Sequence, residues 1–217
     1  CKAGSSALLA ALVRAAEAEM SHWLKRAAGG IFHDFRKFFD SVNIPILLAN
    51  AVKLGYPSVE LALAIQQHQA PRMIKLGGFV GKPIIVHNSI IAGCLQSVAP
   101  TRAYLSEGMH STNKQEECID SDNYTTCEVA SSRIYVDDCA QTASSKYWGR
   151  AFNKLANSFS KFNKTRIKLK LSLSEKGVIC TSSDKLSKRI QKELWEEHGV
   201  KYKISSNTRD LGVSYTA

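Results

Sequence analysis

The chain has 217 residues and a formal net charge of +10, from 29 Lys and Arg against 19 Asp and Glu. With 44% apolar and 22% charged residues, it can bury a substantial core and does not have the composition of a disordered chain. No apolar run reaches the roughly 18–20 residues that cross a bilayer, which argues against a membrane-spanning role, and the basic balance points to a polyanionic partner without naming one.

Residue 1 is Cys and no secretory leader pattern follows it, so the chain reads as a piece of a longer protein. Leu8, Leu12, Met20, Trp23 and Leu24 predict a first helix over 6–27, with Gly29-Gly30 as its stop. Ile31 to Phe35 reads as a strand. Asn43 and Pro45 open a helix that runs to about Leu54 and closes at Gly55. Asp40 is a candidate cap for this helix. Ser58 caps the next helix, to about Gln69, which Pro71 stops. Arg72–Val86 predicts a hairpin turning at Gly77-Gly78. A helix is expected over 97–107, with Pro100 in its first turn.

The stretch 106–132 holds six acids and one Lys. It has no period and reads as a surface loop. Arg133–Val136 and Cys139–Ala143 predict two strands that turn at Asp137-Asp138. Trp148, Phe152, Leu155, Phe159 and Phe162 step by four, three, four and three, so a helix over 145–165 buries one face. Short strands follow at 169–173 and 178–180, then a helix over 184–198 ended by Gly199, then strands at 202–204 and 211–213. Helices mixed with antiparallel hairpins make the class α+β. The six cysteines form no C-x-x-C pair and read as reduced thiols, which suits an intracellular setting.

The acids at strand ends carry the chemistry. Asp34 closes an apolar strand, and Asp137 and Asp138 sit at a hairpin tip about a hundred residues later. Carboxylates beside a backbone carbonyl make a hard oxygen site that suits Mg²⁺. Two such ions can activate one oxygen and stabilise another in phosphoryl transfer. Paired Asp residues also occur simply as turn formers, so spacing alone leaves both readings open.

The local wording is more specific. Tyr135-Val136-Asp137-Asp138 resembles the Tyr-X-Asp-Asp signature of reverse transcriptases. His33-Asp34-Phe35-Arg36-Lys37-Phe38-Phe39-Asp40-Ser41-Val42 is similar to their first catalytic motif. Ala92-Gly93-Cys94-Leu95-Gln96-Ser97-Val98-Ala99-Pro100 resembles the middle motif, with Leu95 where Pro is usual and Ser97 where Gly is usual. Leu171–Lys176 resembles the later strand that ends in Lys, and Arg209–Val213 the Leu-Gly primer grip. The five motifs occur in the family's order over about 31–213, and their wording is nearest the non-LTR retrotransposon and group II intron branch.

This resemblance implies a right-hand polymerase palm with partial fingers, its antiparallel sheet packed on helices. Residues 1–30 would be a helical lead-in from the fingers. Residues 31–217 would be the palm, with a fingers hairpin at about 71–90 and no thumb. The implied activity is RNA-directed DNA synthesis, in which a primer 3′-hydroxyl attacks a dNTP with the help of two Mg²⁺ ions; Mn²⁺ is a substitute. Asp34 and Asp137 would be metal ligands, Asp138 a supporting acid, and Phe35 the donor of a carbonyl. Phe39 would be the steric gate against a ribose 2′-hydroxyl. Gln96 and Lys176 would contact the nucleotide, and Leu211 and Gly212 the primer end. The implied partners are an RNA template, a DNA primer and dNTPs, with no membrane, in an intracellular and nuclear setting. The alternative is a non-catalytic nucleic-acid-binding remnant of polymerase-like fold, favoured by Leu95 and by Ser97, whose side chain would crowd the nucleotide or strain the backbone. The His before the first Asp requires a buried polar partner.

Overall fold

The computed structural model describes residues 7–113, 130–135, 138–210 and 213–216. The described elements, in order, are α1 (Ala7–Trp23), β1 (Ala27–His33), α2 (Phe38–Ser41), α3 (Ile44–Lys53), α4 (Ser58–Gln69), β2 (Lys75–Leu76), β3 (Phe79–Val80), α5 (Val98–Asn113), β4 (Ser131–Tyr135), β5 (Asp138–Ser145), α6 (Trp148–Lys168), β6 (Val178–Thr181), α7 (Asp184–His198), β7 (Lys203–Ile204), β8 (Asn207–Asp210) and β9 (Val213–Thr216). The mixed α+β class read from the sequence holds, with a mostly antiparallel sheet packed on helices. Among the described residues, no helix is long and apolar enough to cross a membrane. The chain divides into two compact units. The first comprises Cys1–Phe35, Met109–Thr165 and Leu173–Ala217, and the second Arg36–Gly108 and Arg166–Ser172.

The first unit is built on a five-stranded sheet in the order β4-β5-β1-β6-β7, antiparallel except for the β6–β7 pair. β1 is the centre. It pairs with β5 from Ala27↔Ser145 to His33↔Cys139, and with β6 from Gly29↔Thr181 to Phe32↔Val178. Strand alternation then assigns the faces. Ile31, His33 and Phe35 point to the buried face, where α6 supplies Phe152, Leu155, Phe159 and Phe162, and α7 supplies Leu186, Ile190 and Leu194. Each large apolar side chain so buried contributes about 1.5–3 kcal/mol. Phe152, Leu155, Phe159 and Phe162 of the α6 stripe are therefore core, as their helical spacing predicts, while Trp148 at its start is exposed. Helix α7 ends at Gly199 (φ 66), whose N–H donates to the carbonyl of Trp195 while Val200 N–H donates to that of Leu194.

Helix α1 lies across the other face of the sheet. The anchor is Arg133, which pairs across the ladder with Ala140 and donates to both carboxylate oxygens of Glu17 on α1. The expected helix stop at Gly29-Gly30 is wrong. The stop is Lys25, in the left-handed region (φ 50), with Arg26 N–H closing on the carbonyl of Ser21. A non-glycine residue there costs about 1–2 kcal/mol, so sequence reasoning looked past it. Gly29 and Gly30 belong to β1 instead. A Cβ on Gly29 would stand 2.6 Å from Thr181 Cγ2 and 3.4 Å from Leu155 Cδ1, so this glycine serves close packing against β6 and α6.

In the second unit, α3 is capped by Asn43, whose Oδ1 accepts from Ile46 N–H at 3.2 Å. Asp40, the expected cap, is instead exposed within the short helix α2. Pro57, not Ser58, occupies the cap position of α4. Asn50 Nδ2 donates to the carbonyl of Tyr104, and the buried Tyr104 hydroxyl accepts from Asn43 N–H and donates to the carbonyl of Leu169. The hairpin expected at 72–86 is present, with β2 and β3 extended by an Arg72↔Ile84 bridge. Two further expectations fail locally. Residues 106–113, read as loop, continue α5. Residues 169–173 form no strand, only a single bridge, Phe35↔Leu173. The rest of the expected acidic loop, 114–129, lies outside the described residues.

Candidate active site

The β1–β5 register ends at His33↔Cys139, so one further step sets Asp34 opposite Asp138. Both are half-buried, and both belong to the alternation set that points away from α6 and α7. Asp138 opens β5 opposite Tyr135 on β4, and the two residues joining these strands are Val136 and Asp137. Asp137 lies outside the described residues, as do Leu211 and Gly212.

The other flank of Asp34 is occupied by the turn that carries Lys176. Ser174 N–H donates to the carbonyl of Asp34 at 2.8 Å, and Arg36 N–H donates to that of Ser172 at 2.8 Å. This pattern makes Phe35 and Leu173 a non-hydrogen-bonded antiparallel pair, so the Phe35 carbonyl points away from Leu173, towards the β5 side. The turn itself is tied by Lys176 N–H to Ser174 Oγ at 3.1 Å, and it leaves the Lys176 side chain exposed. One end of the sheet therefore gathers Asp34, Asp138, the Phe35 carbonyl and the Lys176 turn.

The opposite face of the same strand end is closed by a polar network that sequence reasoning located only in part. His33 is buried (4% exposed). Its Nε2 lies 3.1 Å from Gln141 Oε1 and its Nδ1 3.1 Å from the Tyr202 hydroxyl. Gln141 Nε2 donates to Ser158 Oγ at 2.8 Å and to Ser132 Oγ at 3.3 Å. With the Gln141 amide oriented this way, its oxygen accepts from His33 Nε2–H, and His33 Nδ1 shares a hydrogen bond with the Tyr202 hydroxyl. The ring also stacks on Phe162, 4.3 Å between centroids at 23°. The partner that the sequence required of His33 is thus Gln141 with Tyr202. The only sequence signal for Gln141 is a polar residue at an inward position of the return strand.

The second unit carries Phe39 and Gln96. Phe38 is buried (3% exposed), while Phe39 is half-buried and meets Phe38 edge to face, 5.3 Å between centroids. Gln96 is exposed on a 3₁₀ turn, Leu95–Ser97, that leads into α5. The expected backbone strain at Ser97 does not arise. Its φ is not positive, its side chain is buried, and its Oγ donates to the carbonyl of Ile91 while its own carbonyl accepts from Thr101 Oγ1 at 2.7 Å. His68 completes this clasp. It is fully buried, and its Nδ1 accepts from Ile91 N–H at 3.2 Å. Burial, helped by the positive charge of Arg72, holds the imidazole pKa below its ordinary value against an opposing backbone interaction with Gln96. Arg72 donates to Ser89 Oγ at 3.0 Å and is half-buried.

Among the described residues, no three His, Cys, Asp or Glu side chains converge as metal ligands. Asp34, Asp138 and the Phe35 carbonyl are all hard oxygen donors, while the neighbouring His33 and Cys139 point to the other face. This donor set fits Mg²⁺ or Mn²⁺ rather than zinc. Cys94, Cys139 and Cys180 are free thiols, and burial pushes the Cys180 thiol pKa up. The chain matches no known family profile and no curated protein sequence.

Proposed function

We propose that the chain is the palm of an RNA-directed DNA polymerase of the non-LTR retrotransposon or group II intron type, working inside the cell in the nucleus. The observation that carries this reading is that Asp34 and Asp138, which stand in the motif order along the chain, lie at the same end of the sheet, beside the last β1–β5 pair His33↔Cys139. Asp34, Asp137 and the Phe35 carbonyl would hold Mg²⁺, with Asp138 as the adjoining acid. The bound ion would supply charge stabilisation at the reacting phosphate and a more acidic primer hydroxyl. Lys176, free to extend from its turn, would neutralise the departing pyrophosphate. Phe39 would press against the sugar of the incoming nucleotide and exclude a 2′-hydroxyl, while Gln96 would orient the nucleotide or template. Leu211 and Gly212 would hold the primer end. Catalysis would then come mostly from positioning and electrostatics.

A second reading is favoured by the middle loop, where Leu95 is 96% exposed at the position usually held by Pro. It is a nucleic-acid-binding domain that no longer catalyses. Primer extension on an RNA template with Mg²⁺ and dNTPs separates the two. Extension that disappears in Asp137→Asn and Asp34→Asn establishes the polymerase. RNA binding that falls steeply with salt, without extension from a chain joined to its fingers and thumb, establishes the remnant.

A further inference from the structure

The end of the sheet opposite Asp34 carries a second constellation, within the first unit. β5 runs to Ser145, opposite Ala27, and β6 runs to Thr181, opposite Gly29. Helices α6 and α7 therefore both start at this end, a strand's length or about 20 Å from Asp34. The approach to α6 presents two exposed aromatic rings, Tyr147 (56% exposed) and Trp148 (39% exposed). Four exposed cations stand over them. Lys146 Nζ and the Arg150 guanidinium lie 5.8 and 5.6 Å from the Tyr147 ring centroid. Lys185 Nζ and the Arg189 guanidinium lie 5.0 and 5.3 Å from the Trp148 ring centroid, and Arg189 is also 4.5 Å from the centroid of the buried Phe152 ring. These are cation–π distances. Among the described residues, no carboxylate is within ion-pair distance of any of these four cations. The N-terminal ends of the two helices add partial positive charge, with Asp184 the one acid in their first turns.

We propose that this surface binds single-stranded nucleic acid, with bases stacked on Tyr147 and Trp148 and phosphates held by Lys146, Arg150, Lys185 and Arg189. A single strand offers a planar base and a phosphate at each nucleotide, which matches the pairing of rings and cations found here. The rings hold the cations in place beforehand, so less side-chain freedom is lost on binding. A duplex keeps its bases inside the stack and would engage the cations without the rings. The surface would hold a strand away from Asp34 and Asp138, and the inference does not rest on the polymerase reading.

The test is fluorescence anisotropy of the full chain with a labelled oligouridylate of about ten nucleotides, in EDTA so that no divalent ion bridges the strand to carboxylates. The same strand carrying 4-thiouridine is then photo-crosslinked and the attached peptides are mapped. Saturable binding is expected, with crosslinks in 146–150. Tyr147→Ala should weaken the strand about fivefold or more and leave a G·C-rich RNA duplex unaffected, while Tyr147→Phe should bind as the wild type does. In a chain carrying both Arg150→Gln and Lys185→Gln, the slope of log affinity against log salt should fall by about 0.7 for each charge removed. The proposal fails if the oligouridylate does not bind, if Tyr147→Ala binds it as well as the wild type, or if the salt slope is unchanged in the double variant. It fails equally if the crosslinks fall only outside 146–150 and 185–189. Binding of phosphatidylserine vesicles in place of the strand would assign the surface to a membrane and overturn the proposal as well. The crosslinks need neither catalysis nor a variant, so they decide the matter whether or not the chain extends a primer and even if a substitution prevents folding.

Discussion

His33 and Asp34 are consecutive on the central strand, yet they meet opposite environments. His33 faces α6 and is enclosed, with both ring nitrogens matched to Gln141 and Tyr202 and its ring stacked on Phe162. Asp34 faces the other way, half-buried, abreast of Asp138 and beside the Lys176 turn. Because side chains alternate along a strand, one strand end can hold a fully satisfied polar core and a reactive carboxylate 3.8 Å apart along the backbone. The enclosed polar group is part of the packed core, and in the proposed polymerase reading the open one carries the chemistry.

The sharpest way to break this comparison is to exchange the two roles. Asp34→Asn should reduce primer extension about 10²-fold or more, yet alter unfolding free energy by no more than about 0.5 kcal/mol. A large loss of stability in that variant would mean that Asp34 is structural. His33→Ala removes a stacked ring and leaves Gln141 and Tyr202 without their shared partner. Urea denaturation should report a loss of about 3 kcal/mol. A neutral outcome would show that the network contributes nothing to stability.

Packing supplies a smaller test on the same strand. Gly29→Val must displace Thr181 or Leu155 and should cost about 1–3 kcal/mol. Gly30→Ala meets the far end of the Phe32 ring at 2.9 Å, which can turn, and makes an ordinary contact with Thr142 Cγ2 at 3.5 Å, so it should cost less. Equal costs would contradict the assignment of the two glycines to different faces.

The second unit offers a test by pH. His68 has a folded-state pKa below its unfolded value near 6.5. Its stabilising contribution is therefore complete above pH 6.5 and is lost as pH falls through the folded-state value. Protonation also removes the Nδ1 acceptor for Ile91 N–H, so the loop bearing Gln96 should loosen. Urea midpoints at pH 7.5 and pH 5.5 should differ more in the wild type than in His68→Asn, and identical differences would remove His68 from this role. The smallest effect is expected at Phe39, where Phe39→Ala should raise ribonucleotide incorporation relative to deoxynucleotide, with little change in extension on dNTPs. Unchanged discrimination in single-nucleotide assays would leave Phe39 as packing against Phe38.

Helical period and terminal signals were legible in the sequence. The stripe from Trp148 to Phe162, the stop at Gly199 and the start at Asn43-Pro45 all depend on residues within one or two turns of each other, so local wording suffices. So does the hairpin order that brings Asp34 and Asp138 to strand ends. The Lys25 stop of α1 was not legible, because a left-handed lysine leaves no compositional mark. The failed strand at 169–173 shares its cause with the Lys176 turn: those residues find one bridge to Phe35 rather than a ladder.

Composition and spacing by themselves determined the α+β class, most helices and the strand-end position of the acids, since these follow from backbone propensity and short-range pattern. Only tertiary structure decided which strands are neighbours and in what register, and so which side chains share a face. It brought Asp34 and Asp138 to one end of the sheet, matched His33 to a glutamine and a tyrosine 108 and 169 residues away, and laid α1 over the sheet. Contacts across such separations depend on the loops that close and the surfaces that fit, and no local stretch of sequence records them.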